Sequence, residues 1–158
     1  MTLGEEAVGR VWLAWPYRAL FHTGEPPVRL MGLEGRTARL VDLDARSCDE
    51  HRLSEREWER FPLAALLDPA GTEDRFDLEV SGNAGVVLRP RQPGGVDRVE
   101  VDVGDDGLPA GVVIVDPQGA TNRFRFTGWS SASGPPDGAW LPAKPLGVEC
   151  VADRGALD

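Results

Sequence analysis

Apolar and polar residues alternate with period two along most of the chain, the signature of half-buried β-strands rather than helices. In "GRVWLAW", Val11, Leu13 and Trp15 share one face and Arg10, Trp12 and Ala14 the other. Further strands are predicted at "RALFHT", "VRLMGL", "TARLVDL", "FDLEVS", "GVVLRP" and "DRVEVDV". Between them lie dense turn signals: "TGEPP", "LEGR", "SGNAG", "RQPGG" and "GDDG". Short strands joined by tight turns imply a mainly β fold, a meandering antiparallel sheet that is strongly curved or rolled into an incomplete β-barrel.

The stretch "LPAGVVIVDPQGATNRFRFTGW" predicts a hairpin, because "VVIV" and "NRFRF" flank "DPQG", where Pro117 presets a turn and Gly119 closes it. Period two puts Phe124 and Phe126 on one face and Arg123, Arg125, Thr127 and Trp129 on the other. The preceding strand repeats the division, with Val99, Val101 and Val103 opposed to Arg98, Glu100 and Asp102. A sheet with one apolar face needs either a tightly filled core or a cavity beneath it.

One segment breaks the alternation. In "LSEREWERFPLAALLDP", Ser54 stands three residues before Glu57 as a capping box, and a second apolar turn follows Pro62. Two short helices are expected, at about 55–60 and 62–68. The second carries Leu63, Leu66 and Leu67 and is apolar nearly all round, so it needs cover and is placed to close the open side of a curved sheet.

Length and charge narrow the function. The 158 residues fit one domain spanning 1–158. Asp and Glu number 26 against 17 Lys and Arg, a net charge of −9 that repels phosphate backbones and argues against nucleic acid as a partner. No apolar run approaches the ~20 residues of a membrane-spanning helix. "MTLGEEAVGR" lacks the apolar core of a signal peptide, so a cytoplasmic protein is expected if Met1 is the true start and a periplasmic one if an upstream signal was removed.

Candidate chemistry is sparse. Cys48 and Cys150 lie far apart and fit no metal spacing, so they read as buried or incidental thiols, with a disulfide as the alternative that geometry would decide. His22 and His51 read as strand or loop residues. Asp105 and Asp106 belong to a turn, and Ser130, Ser131 and Ser133 lie in a loop without a nucleophile elbow. No catalytic residue, metal site or cofactor is expected.

The segment "DGLPAGVVIVDPQGATNRFRFTGWSSASGPPDGAWLPAKPLGVECV" resembles the C-terminal half of the LolA family of outer-membrane lipoprotein carriers. The family pattern is a D-G-x-P turn, a strand, a D-x-x-G turn, an aromatic strand ending near a Trp, and a final aromatic-x-P-P-x-G-V segment. Here these fall at Asp106–Pro109, Asp116–Gly119, Phe124–Trp129 and Trp140–Val148. Upstream, the order of strands and turns also follows the family, and the helix pair falls at the family's lid, about 54–68. The resemblance runs from about Val8 to Val151. Two departures stand out: the family's first helix and strand have no counterpart after Met1, and Trp15 occupies the position before Pro16 where members carry a lid-holding arginine.

The resemblance implies a non-catalytic carrier that binds acyl chains of lipoproteins or lipids in an apolar cavity and moves them between membranes. The expected cavity residues are Val11, Leu13, Trp15, Phe21, Val99, Val101, Phe124 and Phe126, and the expected lid residues are Leu63, Leu66 and Leu67. Membrane-bound loading and receiving proteins would be its partners, and an exposed sheet edge could pair in a homodimer. The alternatives are a lipid-sensing module of the same fold and, third, a small-molecule biosynthetic enzyme on that fold, for which no acid and base stand together.

Overall fold

The first five strands pair in chain order, each antiparallel to the next: β1 (Gly9–Ala14), β2 (Arg18–Thr23), β3 (Arg29–Glu34), β4 (Thr37–Asp42) and β5 (Ser47–Arg52). A second meander follows, with β6 (Phe76–Ser81), β7 (Gly85–Pro90), β8 (Arg98–Val103), β9 (Pro109–Val115) and β10 (Thr121–Arg125), and the short β11 (Val151–Ala152) returns to lie parallel to β5. The computed structural model describes residues 7–14, 17–52, 74–82, 85–131, 134–135 and 137–152. The predicted helices, with Leu63, Leu66 and Leu67, lie outside the described residues, as does Trp15.

The chain is mainly β, with two antiparallel-rich sheets and no closed barrel among the described residues. It divides into two units, residues 1–58 with 132–158 and residues 59–131, each holding one sheet.

The turns form where the sequence signals them. Glu34 and Thr37 are paired across a two-residue connection in which Gly35 has φ 62°, the left-handed value that primed hairpin turns need. At the predicted β9–β10 hairpin, the Asp116 carboxylate accepts hydrogen bonds from the backbone N–H groups of Gln118 and Ala120 at 2.9 and 2.8 Å. That local cap replaces backbone partners the turn lacks and fixes the register that sets Phe124 opposite Val112. The strand β5 escapes sequence reading because "SCDEHR" has little apolar character. Its place comes from β4, where Val41 pairs with Cys48.

The first sheet buries residues on both faces: Ala19, Leu33 and Ala38 on one, Leu20, Val41 and Cys48 on the other. A strap of residues 137–152 covers the second of these faces. The Arg18 guanidinium lies 5.5 Å from the centre of the Trp140 ring, and Arg39 donates from Nη1 to the Pro142 carbonyl at 3.1 Å while pairing with the Glu50 carboxylate at 2.8 Å. Farther along, Arg46 donates to the Leu146 carbonyl at 2.7 Å.

The strap ends in a correction to the sequence reading. Cys48 and Cys150 are not incidental thiols; they form a disulfide with Cα atoms 4.5 Å apart. Val151 pairs with Asp49 and Ala152 with Glu50, which sets the preceding residues of the two strands side by side. A separation of 102 residues in sequence therefore carries no information about separation in the sheet.

Candidate functional site

The register of the second sheet assembles its apolar positions into two rows that cross all five strands. One runs Val80, Val86, Val101, Val112, Phe124, and the other Leu78, Leu88, Val99, Ile114, Asn122. Antiparallel pairing puts directly opposed residues on the same face, so alternation in each strand becomes a continuous apolar surface. Its middle is a core, with Val112 0% and Val99 1% exposed. The rows emerge toward their ends: Leu78 is 53% exposed, Val80 77% and Phe124 37%.

Beside the β10 end, three aromatic rings follow one another. Phe124 and Phe126 are stacked with centroids 6.4 Å apart, and Phe126 lies 5.5 Å from Trp129. The sequence reading put Trp129 on the opposite face, and this is corrected: β10 ends at Arg125, and Gly128, with φ 68°, turns the chain out of strand geometry. The indole N–H then donates to the Pro109 carbonyl at 2.7 Å. Trp129 thereby walls a shallow cleft of about 290 Å³ with Phe126, Leu108, Pro109 and the Asp105–Asp106 turn.

In the first sheet, Val11 pairs with Phe21 and Leu13 with Ala19, so Val11, Leu13 and Phe21 share a face, all half-buried, with Met31 and Leu33 continuing it on β3. Val99, Val101, Phe124 and Phe126 share the apolar face of the second sheet. Each set is assembled within its own unit. Sequence reasoning marked "FDLEVS" as a strand but left Leu78 and Val80 out of the site, although their alternation with Asp77 and Glu79 was the available signal.

The titratable groups are dispersed. No group of three or more His, Cys, Asp or Glu among the described residues could hold a metal ion. His22, edge-on to Trp12 with ring centroids 4.8 Å apart, has its pKa pushed below 6.5, chiefly by burial and further by Arg10, against opposing pulls from Asp137 and Glu25.

Extended apolar sheet faces that become accessible at their edges place the chain among mainly β proteins with accessible apolar sheet surface. Residues 2–140 match the family model described as outer membrane lipoprotein carrier protein LolA, and the chain belongs to that family. No curated protein matches it by sequence.

Proposed function

We propose that the protein carries acyl chains of lipoproteins or lipids between membranes without performing chemistry on them. The observation that carries this reading is the pair of apolar rows across the second sheet, exposed at Leu78 and Val80, in a chain of the LolA family. Each methylene covered stabilises by roughly 0.8 kcal/mol, so a chain of about sixteen carbons gains on the order of 10 kcal/mol if fully buried. Release then requires a competitor. Leu63, Leu66 and Leu67 are our candidates for that competitor, and Val11, Leu13, Trp15 and Phe21 for further apolar contacts with the acyl chain, before membrane-bound proteins load and receive the cargo. The Cys48–Cys150 disulfide favours an oxidising compartment and so the periplasm.

Native mass spectrometry with lipid extraction tests the reading directly. Bound acyl chains, or uptake of added fluorescent fatty acid, are expected. The double variant Leu78→Asp/Val80→Asp should weaken uptake by about tenfold, since two apolar contacts become desolvated charges. Both side chains are exposed, so the variant keeps its fold, checked by circular dichroism. A folded protein that takes up no fatty acid overturns the proposal.

A further inference from the structure

The outer edge of β10 is open, charged and regular. All five of its residues are exposed, and it ends the strand order of its sheet. Asp116 N–H donates to the Ala120 carbonyl and Phe126 N–H to the Ala110 carbonyl, so the even-numbered residues turn their backbone groups toward β9. By the alternation of antiparallel ladders, Thr121, Arg123 and Arg125 aim their N–H and C=O groups outward, where no described backbone group meets them. Arg123 and Arg125 make no ion pair among the described residues, and they stand two apart on one face of this edge strand. They set two positive charges side by side in a chain of net charge −9.

We propose that β10 is a docking edge for an extended segment of a partner polypeptide in which acidic and apolar residues alternate. A strand added to β10 bonds to the backbone of Thr121, Arg123 and Arg125. Its residues opposite Arg123 and Arg125 lie on the polar face, where carboxylates complement them. Those between lie on the face of Phe124 and Phe126, where apolar side chains extend the rows. Specificity thus comes from period two on both sides of one ladder.

Other occupants fit less well. Two-fold pairing of β10 with β10 of a second copy sets Arg123 and Arg125 against their own equivalents, and like charges directly opposed are destabilising. An anionic membrane would need cations and apolar groups on one side, whereas Arg123 and Phe124 point to opposite faces.

The probe is a six-residue peptide alternating valine and glutamate, with a valine–lysine peptide as control, each titrated against the full chain by fluorescence anisotropy. The acidic peptide is expected to bind about tenfold more tightly than the basic one, and Arg123→Glu/Arg125→Glu should reverse the preference. Thr121→Pro keeps both arginines and the ladder to β9 but removes an outward N–H, and should weaken the acidic peptide. That response separates strand addition from mere charge attraction. Equal weak binding of both peptides would reduce the arginines to charges that discourage edge pairing and would overturn the proposal. So would binding indifferent to Thr121→Pro, mass that grows with concentration through this edge, or adsorption to anionic phospholipid vesicles abolished by Arg123→Glu/Arg125→Glu. These outcomes are independent of acyl-chain uptake.

Discussion

At Gly32 the strap leaves no room for a side chain: a Cβ there would collide with the Trp140 carbonyl oxygen and lie 2.6 Å from Cδ of Pro142. Because the obstacles are backbone and a proline ring, neither can swing aside. Gly32→Ala should therefore destabilise by about 1–3 kcal/mol, measured as a lower urea midpoint with unchanged slope. His22 offers a second test on the same covered face. Its pKa lies below 6.5 when folded, so the unfolded chain binds the proton more readily. This contribution to stability is complete above the unfolded value and is lost as pH falls through 6.5 toward the folded one. His22→Gln should flatten that part of the stability–pH curve. A curve identical to wild type would show that other groups set it.

Among elements, β11 depends most on a single bond. The disulfide closes a loop of 102 residues, and in the chain-entropy account such a cross-link stabilises by restricting the unfolded chain. The double variant Cys48→Ala/Cys150→Ala should lose about 2–5 kcal/mol, and amide exchange at Val151 and Ala152 should rise first, since only a two-residue ladder would still hold β11. The hairpins were legible in the sequence because Asp116, Gly119 and Gly35 act locally, through a side-chain cap or a permitted φ. The strand β5 and the disulfide were not, because each is decided by a partner far along the chain. Trp129 was misplaced for a subtler reason: alternation holds only while a strand lasts, and nothing apolar or polar marks Gly128 as its end.

For the molecule as a whole, family and β class were both readable, since order of turns and period of apolar residues survive without side-chain detail. The candidate site was readable only in part. Each strand announced its apolar face, but which residues would be core and which surface depends on position across the sheet. Val99 and Leu78 have the same periodic signature and lie in the same transverse row, yet one is central and covered while the other sits at an edge. Contacts with other molecules are accordingly expected at the sheet's edges, where the rows become accessible.

The strap also orders events in time. The second sheet is built from one uninterrupted stretch, whereas the first recruits residues from both sides of it. A chain delivered amino end first, by ribosome or translocation pore, presents β1–β5 long before residues 137–152 exist to cover Leu20, Val41 and Cys48. Chain growth thus leaves the first sheet half-dressed until residues 137–152 have emerged, and that interval is when it most needs protection from wrong partners.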